Sequence, residues 1–189
     1  MSDFVLKAGA AVCDINPITP QFLCGYPHVP HMSTGVHDPL LVSALYVANG
    51  KAAVLQVALD ILFLDPATAR SIRAETAGRL GLPEAHVFIS CTHTHSAPIT
   101  NRNLAWEDDP VVPPPDPAYM RLLRTRILEA AEQAARNTRP AELAWTVADA
   151  TGVGGNRLSA GGLTDPEVGI LAVRGAGGGP MIGVSMVYG

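Results

Sequence analysis

Short apolar runs, separated by glycine, proline and asparagine, set out a strand-rich chain with two helices. Small residues from Ala8 to Ile15 read as an opening strand over positions 4–15, ended by Asn16-Pro17. Positions 16–39 have no period, and Pro17, Pro20, Pro27, Pro30 and Pro39 make them irregular. Two apolar strands follow, 40–48 and 51–59, joined by Asn49-Gly50, the dipeptide that a type I′ hairpin turn favours. Asp65-Pro66 has the form of an N-cap with proline at the first helical position, which predicts a helix to about Leu80, stopped at Gly81. A strand is expected over 86–91. Asp116-Pro117 repeats the cap and opens a helix over roughly 117–137, with Leu122, Leu123, Ile127, Leu128 and Ala131 as its buried stripe. Strands at about 141–149, 168–174 and 181–188 complete the pattern, the last two joined by the Gly175–Gly179 turn. This order predicts one α/β domain over 1–189, a mixed β-sheet with flanking helices. The run 181–188 reads as a buried strand, and the sequence stops one glycine later. A domain seldom ends on such a strand, so the chain is expected to be the N-terminal part of a larger domain.

Composition narrows the function classes. A hydrophobic share of 48% in 189 residues is enough for a packed core. With a net charge of −4 and no cluster of Lys or Arg, nucleic acid is not an expected partner. No apolar run approaches the ~18 residues of a membrane helix. The start, Met1–Lys7, lacks the basic end and apolar stretch of a signal peptide, which predicts a cytoplasmic protein. Cys13, Cys24 and Cys91 are widely spaced, form no CxxC pair, and are expected to be reduced and mostly buried.

The chemistry concentrates where the strand at 86–91 ends, in Cys91-Thr92-His93-Thr94-His95-Ser96-Ala97-Pro98. If the backbone stays extended, His93 and His95 project to one side, with Cys91 behind them. Two imidazoles so placed suit zinc, or one ligand beside one proton-transfer group. They cannot close a catalytic zinc site, which commonly uses three protein ligands and a water. Cys91 is either a third ligand or a small buried residue. The loop after the pair carries Pro98, Pro110, Pro113, Pro114 and Pro115 together with Trp106, Glu107, Asp108 and Asp109, and reads as a lid or substrate wall. His28 and His31 are expected in solvent, His86 in a structural role, and Asp60 either orienting a histidine or capping a turn.

Four segments together resemble the N-terminal catalytic region of the neutral/alkaline, non-lysosomal ceramidases, a family of zinc amidases. They are Ala8–Ile15 with Pro17, Cys24-Gly25-Tyr26 followed by Gly35-Val36-His37, Thr92–Ser96 with Pro98, and Asn156-Arg157-Leu158. The Thr-His-Thr-His-Ser element is the specific one. The resemblance implies a Zn2+ ligand at His93, a proton-transfer group at His95, and a charge-neutralising cation at Arg157. His37 and Gly25 would line the substrate cavity. It implies hydrolysis of an N-acyl amide, with a small-molecule or lipid-like substrate. Ala97-Pro98-Ile99-Thr100 and Asp38-Pro39 depart from the family pattern, so the resemblance implies the amidase class and leaves ceramide itself open. No histidine follows His95, so this chain is expected to hold an incomplete metal site and to be inactive alone. An HxH pair also opens other metallohydrolases, including barrels, but there it comes early in a repeated β/α pattern. A non-catalytic descendant that binds a ligand or partner is a further alternative. The apolar last strand would allow copies to pair as a homo-oligomer.

Overall fold

Among the described residues, seven strands and two long helices form where the pattern placed them. The computed structural model describes residues 5–101 and 109–188. Strands β1 (Lys7–Asp14), β2 (Leu41–Ala48) and β3 (Ala53–Leu59) run antiparallel, and β4 (Val87–Cys91) lies parallel to β3. Strands β5 (Arg139–Asp149), β6 (Glu167–Gly175) and β7 (Met181–Tyr188) are antiparallel. The sheet order is β4-β3-β2-β1-β5-β6-β7, so the sheet is mixed and the domain α/β, as expected. The hairpin between β2 and β3 differs from the two-residue turn expected of Asn49-Gly50. Its strands close at Ala48 and Ala53, because the Asn49 side-chain oxygen accepts from the amides of Lys51 and Ala52 and holds a four-residue loop.

Helix α1 (Pro66–Leu80) starts at Asp65, whose Oδ1 accepts from the amides of Ala67 and Thr68 at 3.0 and 2.9 Å. It stops at Gly81, which takes φ 65°. Helix α2 (Pro117–Arg136) starts at Asp116 in the same way and buries Tyr119, Leu123, Ile127, Leu128, Ala130, Ala131 and Ala134. Leu122 is only half-buried, at the margin of that stripe. Both helices join one core with Val42, Leu55, Val57, Leu59 and Ile61. Glycine at position 9 lets α2 come close to β1: a Cβ there would lie 2.2 Å from the Ala134 carbonyl oxygen. Among the described residues, no helix is long and apolar enough to cross a membrane.

The Asp65 cap makes a testable contribution. Hydrogen bonds from the Thr68 hydroxyl and from the Thr68 and Ala67 amides hold its carboxyl below the ordinary carboxylate range. A carboxyl lowered by folding stabilises above its unfolded pKa, about 3.9, and that stabilisation is lost as pH falls through the lower folded value. Asp65→Ala is therefore expected to cost ~0.5–2 kcal/mol at neutral pH and less below about pH 3. Urea melts at both pH values check this, and an equal loss at both would exclude the cap as its source.

Strand β5 pairs with β1 only through Arg139 and Pro140, then carries β6 and β7 away as a three-stranded arm. The arm rests on the helix-free face through Ala8, Ala141 and Val173, packed with Leu45, Leu171 and Ile182. A hydrogen bond of 2.7 Å from Gln56 Nε2 to Ser185 Oγ links β3 to β7. The last strand differs from the buried strand expected: Met181, Val184, Met186, Val187 and Tyr188 are exposed. As the terminal strand of the sheet order, β7 lacks a neighbour on one side among the described residues.

Candidate functional site

Strand β4 delivers the histidine pair, but the extended backbone ends first. The Thr92 amide donates to the Leu59 carbonyl at 2.9 Å, and the His93 amide to that of Ile61 at 3.1 Å. His93 then takes φ 62°, a left-handed conformation uncommon for a residue with a side chain. That turn breaks the two-residue alternation, so the rings do not lie parallel as expected. Their centroids are 5.5 Å apart, with planes at 74°. Backbone outliers of this kind gather at functional sites, because the surrounding structure must hold them.

Each ring has one nitrogen occupied or shielded. His93 Nδ1 lies 3.2 Å from the Leu62 carbonyl oxygen. A carbonyl can only accept, so in the neutral ring Nδ1 carries the hydrogen and Nε2 the lone pair. The His93 ring also stacks on Phe63 at 6.0 Å. His95 Nδ1 is buried and has no hydrogen-bond partner among the described residues. It lies against Gly25, where a Cβ would come within 2.2 Å of it. Gly25 has φ 117°, a conformation open to glycine.

Two segments distant in sequence are braced together to make this contact. The Cys24 amide donates to the Ala97 carbonyl at 2.9 Å, the Ile99 amide to that of Phe22 at 3.3 Å, and Leu23 bridges Pro98. Cys24, Leu62 and Ile99 form a small buried cluster beneath. Burial pushes the Cys24 thiol up to about 11, so it is neutral at physiological pH. Cys91 packs against the main core, and burial raises its pKa too. Cys91 is half-buried at the end of β4.

Tyr26 is a neighbour that residue patterns did not single out for chemistry. Its ring stands edge-on to both His95 and His31, with centroids 5.2 Å away in each case. His31 is half-buried rather than solvated, and its buried Nδ1 has no partner among the described residues. His28 is exposed as expected, and its amide donates to Asp109 Oδ2 at 2.8 Å. His86 is structural, with Nδ1 at 2.9 Å from the Ala53 carbonyl. Among the described residues, the Asp60 carboxylate accepts from the Leu41 amide of β2 at 3.0 Å rather than from a histidine or an amide of the next turn.

The remaining candidates lie apart from the pair. His37 is 97% exposed, 2.8 Å from Asp38. It lines a cleft of about 910 Å³ with His31, Asp38, Asp60, Thr94 and Ser96, so motif residues alternating with the histidines reach this cleft. Arg157 is exposed in the loop from β5 to β6. Trp106, Glu107 and Asp108 of the expected lid lie outside the described residues. Among the described residues, no cluster of three His, Cys, Asp or Glu forms around the pair. The donor chemistry fits part of a zinc site: a neutral imidazole with its lone pair on Nε2 and a backbone carbonyl behind it is the usual arrangement of a ligating histidine.

No protein-family model and no curated protein matches the chain. Among solved structures it is similar to the neutral ceramidase from Pseudomonas aeruginosa, with a TM-score of 0.79 and 18% identity, over 99% of this chain and 32% of that one. It is also similar to a ceramidase complexed with C2, with a TM-score of 0.78 and 17% identity, over 98% of this chain and 31% of that one. The chain thus spans about a third of the length of these structures. At these identities the likeness is one of fold.

Proposed function

We propose that this chain carries part of the active site of a zinc-dependent hydrolase acting on an N-acyl amide bond. The observation that carries the reading is the His93 ring, held by Leu62 through Nδ1 with the Nε2 lone pair left for a metal beside His95. The likeness in fold to two ceramidases supports an amide among possible hydrolase substrates.

In this reading His93 Nε2 would hold the metal. A bound zinc ion supplies Lewis acidity towards an amide carbonyl and towards water. His95 has Nδ1 shielded by Gly25, so its Nε2 is the nitrogen that passes a proton to the departing amine, a role typically worth ~10²–10⁴-fold. Arg157 provides a cation for charge that develops on the substrate. His37 and Gly25 contact the substrate, His37 from the neighbouring cleft. Two imidazoles fall short of the three ligands usual in catalytic zinc sites. The 189-residue chain is therefore expected to bind zinc weakly and not to turn over an amide unaided.

Zinc titration of the purified chain, followed by elemental analysis after equilibrium dialysis, tests this reading. His93→Ala is expected to weaken zinc binding at least ~10-fold, since altering even the outer partners of a ligating histidine costs 10–100-fold. Uptake that is unchanged in His93→Ala, or no uptake by either protein, would overturn it.

A further inference from the structure

The two motif histidines are oriented by different means. A hydrogen bond on one ring nitrogen normally fixes a working imidazole, and His93 has one, from Nδ1 to the Leu62 carbonyl at 3.2 Å. His95 Nδ1 is instead buried against Gly25 without a hydrogen-bond partner among the described residues. The torsion that turns an imidazole about its bond to Cβ is broad, so such a ring drifts unless packing holds it.

Tyr26 is placed to supply that packing. It follows an extended segment, 21–24, that is bonded on both sides. On one side the Leu23 amide donates to the His31 carbonyl at 2.7 Å and the Ser33 amide to that of Gln21 at 2.8 Å. On the other, the Cys24 amide donates to the Ala97 carbonyl at 2.9 Å. A ring two residues beyond Cys24 can therefore touch both neighbours. Its plane lies at 79° to that of His31 and 69° to that of His95, with both centroids 5.2 Å away. Edge-to-face contact is directional, because the negative face of one ring attracts the positive edge of the other.

We infer that Tyr26 is a positioning residue for His95. Its ring, backed by His31, holds the imidazole with Nδ1 sealed against Gly25 and Nε2 as the working nitrogen. The chemical role of Nε2 rests on the hydrolase reading above, whereas the brace itself does not. Nδ1 is already covered within this chain, so further chain packed over Tyr26 would leave the arrangement in place. The contacts are made by the ring and not by the hydroxyl, so phenylalanine should serve at position 26 and alanine should not.

Nuclear magnetic resonance of the metal-free chain tests this, read through the Overhauser contact between Gly25 Hα and His95 Hε1. A Cβ on Gly25 would lie 2.8 Å from His95 Cε1, so the contact is expected in the wild type. Tyr26→Ala is expected to weaken it and to raise the population of other ring orientations about 2- to 10-fold, the equivalent of one aromatic pair. Tyr26→Phe is expected to keep it. His31→Ala should shift the His95 resonances in the same direction as Tyr26→Ala, by less. Tyr26 is 49% exposed, so melting should change little in either variant at that position. A contact that stays intact in Tyr26→Ala, or is lost equally in Tyr26→Phe, would overturn the inference. Should Tyr26→Ala not fold, unmoved His95 resonances in His31→Ala would overturn it. Spectra as expected from a chain that takes up no zinc would support the brace and count against the zinc reading alone.

Discussion

Gly25→Ala is expected to displace His95 and to destabilise the protein by several kcal/mol. Two effects combine. An alanine held at φ 117° sits where side chains are strained, at a cost of roughly 1–3 kcal/mol. Its Cβ would also lie 2.2 Å from His95 Nδ1 and under 3 Å from two ring carbons, overpacking worth about 1–3 kcal/mol. The ring cannot withdraw freely, since Tyr26 stands edge-on to it and His93 lies beyond. Nor can the Gly25 backbone, because the Cys24 amide is bonded to the Ala97 carbonyl. Denaturant melts measure the loss, and the His95 ring resonances in a proton–nitrogen correlation spectrum report the displacement. Stability within about 0.5 kcal/mol of wild type with unshifted His95 resonances would show that the close approach is absent in solution.

Leu123→Ala is expected to cost ~2–5 kcal/mol, the range for deleting a buried leucine side chain. Leu123 is fully buried in α2, in the core shared with β1–β4 and Ile72 of α1. The close contact of Gly9 with the end of α2 limits how far the helix can settle into a cavity, which favours the upper half of that range. Thermal or urea unfolding checks the magnitude. A loss below about 1 kcal/mol would mean that α2 repacks freely on the sheet. A fall in stability with the His95 resonances unmoved would separate this core effect from that of Gly25.

Much of the fold was legible because its signals are local. Asp65-Pro66 and Asp116-Pro117 start both helices, and Gly81 stops the first, since a cap needs only the few residues around it. The alternation of strands and helices predicted a mixed sheet, which the structure has. The Asn49-Gly50 turn was placed correctly, but its length depended on which amides the Asn49 side chain captured. The run 181–188 was right as a strand and wrong as a buried one. An apolar stretch shows that a segment can be covered, not what covers it.

At the candidate site the same division holds. His93 and His95 stand out by spacing alone, and Gly25 enters by resemblance; the structure places all three in one constellation. His37 and Arg157 belong to the same resemblance, yet one lines a neighbouring cleft and the other an exposed loop. No periodicity pointed to Tyr26 beside His95, or to the half-buried state of His31. The sequence by itself determined the elements, their order and the residue types capable of zinc chemistry, all of which rest on neighbours a few positions apart. Tertiary structure decided the angle between the two imidazoles, the tautomer of His93 and the need for glycine at position 25. Each of these arises from contacts across some 30 to 70 residues, namely Leu62 with His93 and Gly25 with His95, and contacts of that reach exist only once the core has packed.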